Sequence, residues 1–131
     1  MKIAINGFGR IGRITLRALL QREGLEIIAI NDLSDTKTLA HLFKYDSVHR
    51  GFQGEVSAEN DHLLINGQKI RVFAEKDPSK LPWKDLDIDL VIESTGKFTD
   101  KAGAGLHLQA GARQVIISAP SSDREIATVV L

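Results

Sequence analysis

The stretch Gly7-Phe8-Gly9-Arg10-Ile11-Gly12 constrains this chain more than any other. It follows a short apolar run, Ile3-Ala4-Ile5, that reads as a buried strand. Glycines at this spacing suit a sharp strand-to-helix turn that receives a dinucleotide. Gly7 permits the tight turn, Gly9 lets the backbone approach a pyrophosphate where a Cβ would collide, and Gly12 lets the helix pack closely on the strand. The helix that opens here, from Arg10 and Ile11 onward, presents unpaired N–H groups and the positive end of its dipole. A second apolar run, Ile27-Ile28-Ala29-Ile30, ends at Asn31-Asp32. Asp32 lies at the roughly 20-residue offset where a carboxylate meets the adenosine ribose. A 2′-phosphate there would face that carboxylate, so the pattern points to NAD rather than NADP. The plainer alternative is a turn that merely needs glycines, with Asp32 a solvated loop acid. The strand, helix and acid together argue against it.

The rest of the chain alternates in the same way. Ile11, Ile14, Ala18 and Leu19 recur at helical spacing, with Gly24 as a stop. Thr36 to Tyr45 reads as a helix with Leu39, Leu42 and Phe43 on one side, and residues 47–57 read as loop. Leu63-Leu64-Ile65 and Ile70-Arg71-Val72-Phe73 flank Asn66-Gly67, a strong hairpin signal. Asp77-Pro78 opens a turn or short helix leading to Trp83. Leu90-Val91-Ile92 and Val115-Ile116-Ile117 are further strands, the second ended by Pro120. Asp100 to Ala112 reads as a helix weakened by Gly103 and Gly105, and Thr128 to Leu131 begins another strand. Strands alternating with helices predict an α/β fold, a Rossmann-type doubly wound parallel sheet, in one domain over residues 1–131.

The 131 residues carry no net charge and no cysteine, and 43% are hydrophobic. That balance gives no electrostatic footprint for nucleic acid or for a membrane surface. No apolar run approaches the roughly 20 residues of a membrane helix, and with no targeting segment visible the cytoplasm is the default. No thiol chemistry is available within the chain. His41, His49, His62 and His107 are scattered without metal-ligand spacing, so all four read as structural or surface residues and no metal is expected. The Asp85-Leu86-Asp87-Ile88-Asp89 run lacks the glycine and terminal glutamate of a calcium loop, and reads as the solvent side of a strand entrance.

A longer series of motifs carries a resemblance. Ile5-Asn6-Gly7-Phe8-Gly9-Arg10-Ile11-Gly12-Arg13, Asn31-Asp32-Leu33, and Ala40 through His49 occur in order. Ala74-Glu75-Lys76-Asp77-Pro78, Leu81-Pro82-Trp83, Glu93-Ser94-Thr95-Gly96 and Ile117-Ser118-Ala119-Pro120 follow. Over essentially its whole length the chain resembles the N-terminal, NAD-binding portion of glyceraldehyde-3-phosphate dehydrogenases. The resemblance implies that an aldehyde forms a thiohemiacetal with a cysteine and passes hydride to NAD, and that phosphate releases the acyl group. It implies backbone contacts from Arg10 and Ile11 to the pyrophosphate and a ribose contact from Asp32. Lys76 stands near the adenine, where the family usually has arginine. Ser94, Thr95 and Gly96 pass under the cofactor, Phe98 lies close to the adenine, and Ser118 lies towards the nicotinamide. Each also has an ordinary reading: turn chemistry for Ser94-Thr95-Gly96, core for Phe98, a solvated charge for Lys76, a turn cap for Ser118.

The same resemblance places the nucleophilic cysteine, its activating histidine and the phosphate-binding arginines after Leu131. This stretch is therefore expected to contain no catalytic residue, to stop before the family's last strand of this sheet, and to show no turnover alone. An exposed sheet edge and apolar face are expected to make it marginally stable or self-associating. The intact family is homotetrameric and acts on a small phosphorylated aldehyde. His49-Arg50-Gly51-Phe52 inverts the family's more usual glycine-then-arginine order. An erythrose-4-phosphate dehydrogenase relative, which tends to carry glutamate where Asp32 stands, and a non-catalytic NAD-binding or redox-sensing module are the alternatives.

Overall fold

The structure, a computed structural model, describes residues 1–45, 54–97, 101–118 and 127–130. Its eight strands are β1 (Lys2–Asn6), β2 (Glu26–Asn31), β3 (Val56–Glu59), β4 (His62–Ile65), β5 (Gln68–Phe73), β6 (Leu90–Glu93), β7 (Gln114–Ser118) and β8 (Ala127–Val130). Among the described residues the helices are α1 (Arg10–Leu19), α2 (Thr36–Tyr45) and α3 (Lys101–Gln109), with a 3-10 turn at Pro78–Lys80. All strands join one sheet in the order β3-β4-β5-β2-β1-β6-β7-β8. The five central strands run parallel, as alternation with helices predicts. The margins are antiparallel, because their connections are too short for a crossover of about a dozen residues. Asn66 and Gly67 turn β4 into β5 with φ of 51° and 83°, the positive pair that a two-residue hairpin requires.

Three local expectations are corrected. Residues 56 and 57, read as loop, belong to β3, which closes onto β4 at Asn60, whose φ is 44°. In α1 the inward residues are Gly12 and Leu16, while Ile14 is exposed. The helix is rolled so that its glycine, not its isoleucines, faces β1. In α2 the buried set is Leu39, Ala40 and Phe43, with Leu42 on the outside.

Central parallel strands bury both faces, and side chains here alternate between two cores. Ile3, Ile5, Ile27, Ile30 and Ile92 meet Leu16 of α1 and Leu39 and Phe43 of α2. Ala4, Ala29, Val91 and Val115 meet Trp83, Ile88 and Ala104 on the other face. Small side chains on both β1 and α3 leave room for the fully buried indole of Trp83. The end of α3 clamps against the Trp83 segment. Gly111 (φ +114°) closes the helix, with its N–H donating to the Leu108 carbonyl and that of Ala112 to the His107 carbonyl, a Schellman ending. A Cβ on Gly111 would sit 2.4–2.7 Å from Lys84 atoms.

One rung of the sheet is polar. Asn31, Asn6 and Glu93 lie side by side at the carboxyl ends of β2, β1 and β6, and all three are buried. Asn31 Nδ2 donates to Asn6 Oδ1 at 2.7 Å, and Asn6 Nδ2 donates to Glu93 Oε1 at 2.6 Å. His107 of α3 reaches the same oxygen through Nε2 at 2.7 Å. Thr95 covers the other oxygen, its N–H at 3.0 Å and its hydroxyl at 2.6 Å. The Trp83 indole N–H, which can only donate, meets His107 Nδ1 at 2.9 Å. That contact puts the histidine proton on Nε2, where it points at Glu93. Burial pushes the Glu93 carboxyl up, but the hydrogen bonds from His107, Thr95 and Asn6 outweigh it and hold it below its ordinary 4.5.

Two predictions follow from this packing. Gly111→Ala combines a strained φ with a backbone clash, and should cost on the order of 2–3 kcal/mol. Gly105→Ala, in a helix interior where a Cβ meets nothing within 4 Å, should stabilise by about 0.5–1 kcal/mol. Urea unfolding that ranks the two the other way round would contradict the packing. A carboxyl lowered by folding contributes stability that is present above its unfolded value and is lost as pH falls through the folded one. Glu93→Gln should therefore cost about 2 kcal/mol at neutral pH, yet lose less than the parent as pH drops below 4.5. Asp35, Asp77 and Asp89 are also lowered but titrate in both proteins, so parallel acid limbs would refute the role given to Glu93.

Candidate functional site: a cleft at the carboxyl ends of the central strands

Strand β1 sits between β2 and β6, and the chain leaves the sheet in opposite senses on its two sides. Such a switch point opens a crevice outside the strand ends. Here it is a cavity of about 640 Å³, whose lining includes Gly7, Gly9, Asp32, Lys76, Ser94 and Thr95. Among the described residues, Asn6, Asn31, Leu33, Glu75 and Lys97 also line it.

The glycine turn is held from three directions. Gly7 adopts φ +92°, and its N–H donates to the Asn31 carbonyl at 2.8 Å. A Cβ on it would lie 2.8–2.9 Å from Thr95 and Ser94 atoms. The Ser94 hydroxyl donates to the Gly7 carbonyl at 2.7 Å. A Cβ on Gly12 would approach that carbonyl to 2.2 Å. Gly7 and Gly12 are thus demanded by the protein's own packing. Gly9 is different. Its φ is −78°, and among the described residues a Cβ there would meet nothing within 4 Å, so neither strain nor their packing requires a glycine at this lining position.

Gly9 is also the N-cap of α1, and its carbonyl accepts the Arg13 N–H at 3.0 Å. Among the described residues no side chain caps α1, and its first turn holds no acid. The amides of Arg10, Ile11 and Gly12 therefore form an open donor set, at the positive end of the helix. Asp32, half-buried, faces this turn from the end of β2. Its Oδ2 accepts the Phe8 N–H at 2.7 Å and its Oδ1 the Ser34 N–H at 2.9 Å. An ionised carboxylate has about four acceptor positions, so both oxygens retain capacity for further donors. Glu75 is placed by Asn31, whose amide accepts the Glu75 N–H and donates to its carbonyl, both at 2.9 Å. Lys76 is exposed beside it.

The remaining sequence candidates are placed as follows. Gly96 turns the chain between Thr95 and Lys97 with φ +78°. Ser118 is half-buried at the end of β7 and does not line the cleft. Phe98 and the 49–52 segment lie outside the described residues. Sequence reasoning gave no separate role to Asn6, Asn31 or Glu93, and read His107 only as a structural or surface residue. The available signal was three apolar strands that each end in an amide or carboxyl side chain. Of the histidines, His62 pairs with Asp61 at 2.8 Å and His107 is wholly buried.

Comparison with known proteins agrees with this architecture. The chain is 57% identical over 131 residues to glyceraldehyde-3-phosphate dehydrogenase of Thermotoga maritima, covering 98% of this chain and 39% of that protein. It is 55% identical over 130 residues to the Mycoplasma pneumoniae enzyme, covering 99% and 39%. It is 56% identical over 129 residues to that of Clostridium acetobutylicum, covering 98% and 38%. The chain thus spans about 39% of the length of these relatives. Residues 1–101 match the family described as glyceraldehyde 3-phosphate dehydrogenase, NAD binding domain, and it is to that NAD-binding family that this chain, with its Gly7–Gly12 turn and its Asp32, belongs.

Proposed function

We propose that this chain holds NAD across the cleft, for a protein that oxidises an aldehyde as glyceraldehyde-3-phosphate dehydrogenases do. The observation that carries the reading is Gly9, a lining glycine whose missing Cβ answers no need of the fold itself. A methyl group there would stand where a diphosphate reaches the amides of Arg10, Ile11 and Gly12. Asp32 would accept hydrogen bonds from the ribose hydroxyls with the capacity its oxygens retain, and its charge would disfavour a 2′-phosphate. Lys76 would lie beside the adenine end, and Ser94 and Thr95 would form the floor. Gly96, Phe98 and Ser118 are carried as proposals from the resemblance alone. When bound, NAD supplies the hydride acceptor. The chain's own residues position it and, in a sequence without cysteine, give no thiol nucleophile.

The protein at its natural length should reduce NAD in the presence of a phosphorylated aldehyde and phosphate. The 131-residue stretch should bind NADH without turnover. In a fluorescence titration the parent should bind NADH saturably. Gly9→Ala should weaken binding at least tenfold while costing under about 1 kcal/mol of stability, and Asp32→Ala should weaken binding and narrow the preference for NADH over NADPH. Unchanged NADH affinity in Gly9→Ala would refute the placement of the diphosphate.

A further inference from the structure

His107 neither lines the cleft nor figures among the residues proposed above to touch the cofactor, yet it is fully buried on the far side of Glu93. We propose that His107 and Glu93 are positioning residues for the dinucleotide cleft, with Trp83 fixing the histidine tautomer that lets them work. The proposal rests on the NAD-binding reading and adds residues to it. Glu93 carries two kinds of cargo. Its Oε2 holds both polar groups of Thr95, and Oε1 holds the amide of Asn6. Thr95 and Asn6 both line the cleft. Thr95 in turn accepts the Lys97 N–H at 3.0 Å, and Asn6 passes the ordering on to Asn31 and Glu75. The floor on both sides of the glycine turn therefore takes its position from one carboxylate.

That carboxylate needs a donor on its α3 side. Trp83 Nε1–H occupies Nδ1 of His107, so Nε2 bears the proton and donates to Oε1. With the other tautomer, two acceptors would face each other across 2.7 Å. Glu93 would then turn, and Thr95 and Asn6 would follow it. An ordinary core residue at position 107 would fill the same space without orienting anything. A glutamine side chain, however, presents an acceptor and a donor at the spacing of the two ring nitrogens, and can repeat the bridge.

The test uses the protein at its natural length, with NADH as probe. His107→Leu should weaken NADH binding about tenfold, the effect of one hydrogen bond of about 1.4 kcal/mol. His107→Gln should recover most of that loss at equal or lower thermal stability. Imidazole ¹⁵N shifts should report the Nε2–H tautomer in the parent and its loss in Trp83→Phe. If His107→Leu does not fold, Trp83→Phe serves instead, and its NADH affinity should fall together with the tautomer signature. The proposal is overturned if His107→Leu and His107→Gln bind NADH as the parent does while only stability moves. It is overturned equally if Trp83→Phe shifts the tautomer without changing affinity. A parent that binds no NADH would refute the cofactor reading instead, and the two failures are distinct.

Discussion

A carboxylate sealed from water is the constraint on which the rest of this structure turns. An unpaired buried charge costs several kcal/mol, and Glu93 is tolerated because four donors surround it. Those donors come from different parts of the chain: β1, α3 and the turn after β6 itself. Satisfying one residue therefore fixes the relative positions of three elements. The Schellman ending of α3 and the close approach of Gly111 to Lys84 then hold Trp83 against His107. Packing on one face of the sheet is thereby coupled to the cleft at its end.

The glycine turn shows a second division of labour. Gly7 and Gly12 are conditions of the fold, since a Cβ at either strikes backbone within 3 Å. Ser94 ties this turn to the neighbouring strand through the Gly7 carbonyl, and Asp32 ties it to the other side through the Phe8 amide. Of the three glycines, only Gly9 meets no described atom within 4 Å of an added Cβ. Substitutions at Gly7 and Gly12 therefore disturb the packing of the turn, whereas one at Gly9 leaves it in place.

Much of this was legible in the sequence, for a physical reason. The glycine turn, Asp32 and the Asn66-Gly67 hairpin are local patterns whose backbone demands are met within a few residues. The polar rung is not local. Asn6 and Glu93 are 87 positions apart, and Asn6 and His107 are 101. Each alone looks like an ordinary strand-end or helix residue, so no window of sequence could join them. The face of α1 was misjudged for a related reason. Isoleucine spacing suggested one inward side, but the inward side is set by where Gly12 can touch Gly7, and a hydrophobic periodicity gives no weight to a residue with no side chain. The four-residue strand β3 sits at the shortest length at which alternation can be read. Ser118, at the end of β7 one strand beyond β6, rests on the resemblance alone.

Two acids, Glu93 and Asp32, lie at the end of a sheet that is read here as receiving an anionic diphosphate, and the hydrogen bonding resolves the apparent conflict. Glu93 directs its charge inward, where Asn6, His107 and Thr95 take up both oxygens. Asp32 is held by two backbone amides, those of Phe8 and Ser34. The amides of Arg10, Ile11 and Gly12 carry no such internal engagement among the described residues. The fold has thus neutralised its own anions with side-chain and loop donors, and has kept the first turn of α1 clear of acid. The open donors lie at a helix mouth whose geometry is fixed by the packing of Gly7 and Gly12 rather than by long side chains. A lysine or arginine placed there instead would bring comparable charge at the cost of ordering a long side chain on each binding event. A helix mouth avoids that cost, and on the function proposed above its shape, with the polar rung beside it, would bear on affinity.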